Sequence, residues 1–103
     1  MAVINVNEQN YQEVVNGGKT VFLDLYADWC GPCKRMAPRV ERLAEEHPEL
    51  IVGKVNVEDE PELAEKFGVM SIPMFVVIKD GEIAAKNVGA ADYEIIEKMA
   101  TEV

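Results

Sequence analysis

Cysteine, histidine and tryptophan are scarce in this chain: 103 residues hold two, one and one of them. Bases are scarce as well, with ten Lys and Arg against nineteen Asp and Glu, for a net charge of −9. A nucleic-acid partner needs a basic face that displaces counterions from phosphate. The one basic cluster, Lys34, Arg35, Arg39 and Arg42, is diluted by Glu41, Glu45 and Glu46. Nucleic acid is therefore excluded as a partner class. No apolar run is long enough to span a bilayer, so no membrane partner is expected. Met1 to Glu8 has no basic segment followed by an apolar run, which argues against a secretory signal and for a cytoplasmic location. No stretch repeats at a fixed period. What the chain does have is 49% apolar residues, enough for one ordinary core, and a length that fits one domain over residues 1–103. A core of that size needs no disulfide staple. Two cysteines three positions apart then point to redox chemistry or metal.

Val3 to Val6 reads as an edge strand. Asn7 is placed to cap a helix running to about Asn16, stopped by Gly17 and Gly18. Thr20 to Ala27 is β-rich and apolar on both faces apart from Asp24, the pattern of a central strand covered on both sides. Gly31 to His47 carries Met36, Ala37, Val40, Leu43 and Ala44 on one helical face and its charges on the other. Pro38 removes a backbone donor inside that helix and should kink it. Leu50 to Val57 is a second strand, and strand–helix–strand order implies a crossover with parallel pairing. Glu62 to Phe67 forms a short helix. Met74 to Lys79 and Glu82 to Val88 are strands joined at Asp80-Gly81, a strong two-residue hairpin signal. Ala91 to about Glu102 closes the chain as a helix. The order β-α-β-α-β-α-β-β-α gives an α/β fold, a mixed sheet with helices on both faces.

The segment Trp29-Cys30-Gly31-Pro32-Cys33-Lys34 sits where the buried strand ends and the long helix begins. Helix N-termini carry unpaired N–H donors and the positive end of the dipole. A thiolate at Cys30 is stabilised there, and the thiolate is the reactive form. Pro32 fits the first turn, where its missing N–H costs nothing. It leaves the Cys33 N–H as a donor to the Cys30 sulfur. Gly31 keeps the approach open. Cys33, one turn on, should be the more buried of the two. The alternative, a zinc half-site, lacks ligands: structural zinc takes four, there is no second cysteine pair, and His47 lies roughly four helical turns away. An inert buried pair also remains open. Asp24 is the only charge in its strand; if buried, it should hold its proton more tightly than in water, and the other possibility is a strand-end carboxylate facing solvent.

The run Tyr26-Ala27-Asp28-Trp29-Cys30-Gly31-Pro32-Cys33-Lys34, with Pro38 following, resembles the thioredoxin family, and the likeness extends from Val3 to the last helix. The resemblance implies a five-stranded mixed sheet flanked by four helices. It implies a protein-disulfide reductase acting through Cys30 and Cys33, with no cofactor beyond the redox-active disulfide and no metal. Asp24 would be the general base for Cys33. Lys54 would stand beside Asp24 and tune it, although a lysine snorkelling to the surface reads as well from the strand alone. The Ile72-Pro73 bond would be cis and face the dithiol, whereas an arbitrary X–Pro bond is cis in only about 5–6% of cases. The Ile72 backbone would then pair with an extended substrate. Trp29, Gly31, Pro32, Ile72, Pro73 and Gly89 would form the docking surface, with Val88 and Ala90 beside Gly89. The implied partners are disulfide-containing proteins and a thioredoxin reductase, with the chain acting as a monomer. Tyr26, Met70-Ser71 and Met74 depart from the usual family residues, and these bear on partner choice. Two other functions stay open: a disulfide oxidase or isomerase, and a non-catalytic binding subunit that uses the same surface.

Overall fold

Strand-forming residues interrupted only by Asp24 put Val21–Tyr26 at the centre of a sheet. The computed structural model describes residues 3–103; Met1 and Ala2, the head of the run read above as lacking a signal, lie outside the described residues. The elements are β1 (Ile4–Asn5), α1 (Tyr11–Val15), β2 (Val21–Tyr26), α2 (Gly31–Glu46), β3 (Ile51–Asn56), α3 (Pro61–Lys66), β4 (Met74–Lys79), β5 (Glu82–Val88) and α4 (Tyr93–Thr101). The sheet order is β1-β3-β2-β4-β5. β2 pairs parallel with β3 and antiparallel with β4, and β1 pairs parallel with β3. This is the mixed five-stranded sheet with four helices that the sequence implied.

Alternation along β2 builds two cores. Val21, Leu23 and Leu25 pack with Tyr11, Val14 and Val15 of α1 and with Leu63 and Phe67 at α3. Phe22 packs on the other face with Met36, Val40, Leu43 and Ala44 of α2 and Tyr93, Ile96 and Ala100 of α4. Phe22 and Phe75 stack across β2 and β4, with centroids 5.5 Å apart. Each such fully buried side chain contributes roughly 1.5–3 kcal/mol. Asp24 follows Phe22 by two, so it lies on the α2 side of the sheet.

Local chemistry shifts some boundaries. The first helix starts at Tyr11, not after Asn7. The Asn7 N–H donates to Asn10 Oδ1 and the Asn10 N–H to Asn7 Oδ1, both at 2.8 Å. This reciprocal turn takes up polar groups that a helix would otherwise claim. α2 is continuous through Pro38; the proline sits on an exposed stretch, where the lost donor leaves a carbonyl that water can reach. Ala37, expected on the buried face, is exposed. The β4–β5 turn holds Asp80 at φ 55° and Gly81 at φ 79°, the double positive φ of a type I′ hairpin. A register irregularity falls at Val77/Ile78.

Candidate active site

The dithiol is set by how β2 hands over to α2. Ala27 is buried, and its carbonyl accepts the Cys30 N–H at 3.2 Å, which turns the chain after the strand. Cys30 is the N-cap of α2, in an extended conformation, and its carbonyl accepts the Lys34 N–H at 3.2 Å. Its Sγ accepts the Cys33 backbone N–H at 3.2 Å. The sulfur therefore takes the place that a capping oxygen usually fills, facing one of the unpaired donors of the first turn. Gly31 and Pro32 occupy that turn and are exposed. Cys30 and Cys33 are joined as a disulfide with Cα atoms 5.3 Å apart, and neither cysteine is free. Cys33 is not the more buried of the two, since each is 4% exposed. The bonded sulfurs pack as one unit with Ala27, Tyr26, Val57 and Ile72.

Beneath the dithiol lies a cavity of about 150 Å³ lined by Asp24, Tyr26, Ala27, Asp28, Cys33, Lys34, Ala37 and Lys54. Asp24 is 5% exposed, and its Oδ1 is buried without a hydrogen-bond partner. Burial pushes this carboxyl from its ordinary 3.8 up to about 7, against the opposing pull of the Lys54 ammonium. The register explains the pair: Asp24 stands directly opposite Lys54 in the β2–β3 ladder. Lys54 is half-buried, with Nζ 5.8 Å from the centre of the Tyr26 ring. Asp24 is thus a buried carboxyl whose protonation changes near neutral pH, sharing a cavity with Cys33. The solvent-facing alternative for Asp24 does not hold.

Above the dithiol the surface is apolar and open. Trp29, next to Cys30 in the chain, is 67% exposed. Val88 is exposed, and Ile72 is half-buried. Cys30 Sγ lies 3.9 Å from the Ile72 carbonyl oxygen. The Ile72-Pro73 bond is cis. Pro73 is buried, and its carbonyl accepts the Gly89 N–H at 2.8 Å, which holds the β5 end beside this loop. Glu58 is a member of the site that the sequence reading missed. Its Oε2 accepts the Trp29 Nε1–H at 2.7 Å, which fixes the indole over the turn. The signal available was Asn56, whose Oδ1 accepts the N–H groups of Glu58 and Asp59. Such an Asx turn aims the residues after β3 towards Trp29, yet nothing in the sequence says which side chain waits there. Tyr26 and Lys34 were likewise not anticipated as cavity walls.

At the far end of α2, Glu46, His47 and Glu97 bring ligand-type atoms within 4.8 Å of one another, the one such group among the described residues. Both ring nitrogens of His47 are engaged, Nδ1 with Glu49 Oε2 at 3.0 Å and Nε2 with Glu97 Oε2 at 2.7 Å. Glu46 accepts from the Tyr93 hydroxyl at 2.9 Å and pairs with Arg42. The cluster ties α2 to α4 and is satisfied by its own members. No helix among the described residues is long and apolar enough to cross a membrane.

A family model described as Thioredoxin matches residues 2–102. The thioredoxin of Alicyclobacillus acidocaldarius subsp. acidocaldarius is 37% identical over 103 residues, covering 99% of this chain and 98% of its own. The thioredoxin of Bacillus subtilis is 38% identical over 100 residues, covering 96% and 95%. Among solved structures, a mutant thioredoxin from Halobacterium salinarum superposes with a TM-score of 0.91 at 33% identity, covering 98% of this chain and 89% of that one.

Proposed function

The chain belongs to the thioredoxin family of dithiol–disulfide reductases, and from that premise we propose that it reduces protein disulfides through Cys30 as attacking thiolate and Cys33 as resolving thiol. In the reduced protein, Cys30 Sγ attacks one sulfur of a target disulfide. A Cys30–target disulfide forms and the other target sulfur leaves as a thiolate. Cys33 Sγ then attacks Cys30 Sγ, which breaks the mixed disulfide and releases the second target thiolate. The Cys30–Cys33 disulfide remains. Two electrons have moved from the dithiol to the target. No bound cofactor is needed, because the dithiol itself carries the electrons.

The supporting residues act on these two attacks. The N–H of Cys33 and the helix N-terminus stabilise negative charge on Cys30. Asp24 takes the proton of Cys33 across the cavity they share, and a carboxyl titrating at about 7 is suited to accept one near neutral pH. Lys54 tunes Asp24 from the adjacent strand. Trp29, Gly31, Pro32, Ile72, Pro73 and Gly89 receive the target, with the Ile72 backbone offered to an extended segment. The oxidised product is returned to the dithiol by a thioredoxin reductase. The protein works as a cytoplasmic monomer.

One observation carries this reading: the Cys30 sulfur caps the helix and accepts the amide of its own partner cysteine at 3.2 Å. Insulin reduction driven by dithiothreitol tests it. Wild-type protein should accelerate precipitation of the insulin chains, and Cys30→Ser should match the rate without protein. Equal acceleration by both would end the proposal.

A further inference from the structure

The cations of α2 divide into two sets. Arg39 and Arg42 are used inside the molecule: Arg39 donates to the Ala91 carbonyl at 2.9 Å, and Arg42 pairs with Glu46 at 2.9 Å. Lys34 and Arg35, the two nearest the dithiol, make no ion pair among the described residues. Lys34 lines the cavity that also holds Asp24 and Asp28. Arg35 is exposed and sits one turn behind Gly31. A helical side chain leans towards the N-terminus over the preceding turn. Arg35 does so: its guanidinium reaches to 3.8 Å from where a Cβ on Gly31 would stand. An unpaired cation therefore lies over Gly31, the first of the two residues between the cysteines. The surface around Trp29 carries the reverse sign. Its chain neighbour Asp28 is exposed, as are Glu58 and Asp59, and the Glu58 carboxylate accepts the indole N–H.

From this division we infer that Arg35 is a specificity-determining residue, selecting target disulfides that carry a carboxylate beside the attacked cysteine on the α2 side of the groove. The inference rests on the reductase reading above and names part of its substrate class. A carboxylate on that side meets the guanidinium fork, which suits it in geometry as well as charge. A carboxylate on the Trp29 side meets Asp28, Glu58 and Asp59 and is repelled. The groove thus fixes the direction in which a charged target segment lies, a use of complementarity that decides register and partner more than raw affinity.

Disulfide-linked homodimers of one short peptide test this, because either sulfur then has the same neighbours. The set carries Glu, Gln or Lys immediately before the cysteine or immediately after it, and kcat/KM is measured for each. On one of the two sides, wild type should reduce the Glu dimer about fivefold faster than the Lys dimer at low salt, as expected of an exposed pair. In 1 M salt the ratio should fall towards one. Arg35→Lys should keep the preference, Arg35→Gln should abolish it and Arg35→Glu should invert it. Each ratio is taken within one variant, so any general loss of folding or thiol reactivity cancels. A ratio near one on both sides, or a preference that Arg35→Glu leaves unchanged, overturns the assignment. Failure of wild type to reduce any dimer would instead remove the reductase reading on which it rests.

Discussion

Replacing Asp24 by Asn should stabilise the oxidised protein above neutral pH and do little at or below about pH 4. Asp24 is 5% exposed, and burial raises its carboxyl from 3.8 to about 7, with Lys54 opposing. The native state therefore holds a proton between those pH values that the unfolded chain has released. Stability must fall as pH rises through that window and level off above it. At about 1.4 kcal/mol per pH unit, the fall is on the order of 4 kcal/mol. Asn carries no charge to desolvate, but its amide still has to be buried among few partners, so the expected gain at pH 8 is roughly 2–4 kcal/mol. At pH 4 both side chains are neutral and the two proteins should agree within about 1 kcal/mol. Urea unfolding of wild type and Asp24→Asn at pH 4, 6 and 8 gives the comparison. Other titrating groups, His47 included, are common to both proteins and drop out of the difference. Parallel stability–pH curves would refute the reasoning, since they would mean that Asp24 is ionised throughout or solvated in the native state. The same variant should slow target release, because Cys33 loses its proton acceptor.

Cys33→Ser should form mixed disulfides with targets at Cys30 and fail to release them, visible as a gel shift that dithiothreitol reverses; multiple turnovers by this variant would contradict the resolving role. A Cβ on Gly53 would lie 2.6 Å from Val6 Cγ2 and 3.2 Å from Leu23 Cδ2. Gly53→Ala should therefore lower stability by about 1–3 kcal/mol in urea, although alanine usually gains over glycine in a strand; an increase would show that β1 yields freely. His47 is raised above its ordinary 6.5 by Glu97 and Glu49. Its stabilisation is fully present below about pH 6.5 and fades as pH climbs through the raised value, so the stability gap between wild type and His47→Gln should shrink above neutrality. A gap independent of pH would mean that the imidazole acts only by packing.

Features that depend on neighbours in the chain are legible in the sequence. Phe22 to Tyr26 alternates between two apolar faces, Asp80-Gly81 supplies two positive φ angles, and Trp29 to Lys34 joins a strand end to a helix start. Each is fixed within a few residues. Features that depend on register or packing are not legible so directly. Asp24 meets Lys54 only because β2 and β3 pair in one alignment, and the resemblance, not the spacing, supplied that pair. Glu58 reaches Trp29 across 29 positions of sequence. Ala37 looks apolar and inward by helical period, but α2 overhangs the cavity at that point and leaves it exposed. The equal burial of Cys30 and Cys33 follows from the disulfide that joins them, which the helical turn between them does not reveal.

A sulfur that caps a helix must be unusually reactive for any of this chemistry to run. Iodoacetamide alkylation of the fully reduced Cys33→Ser variant, followed against pH, measures that reactivity directly. The rate should reach half its plateau well below the value of about 8.5 seen for a free cysteine. A midpoint at or above that value, or a thiol that reacts only after denaturation, would contradict it.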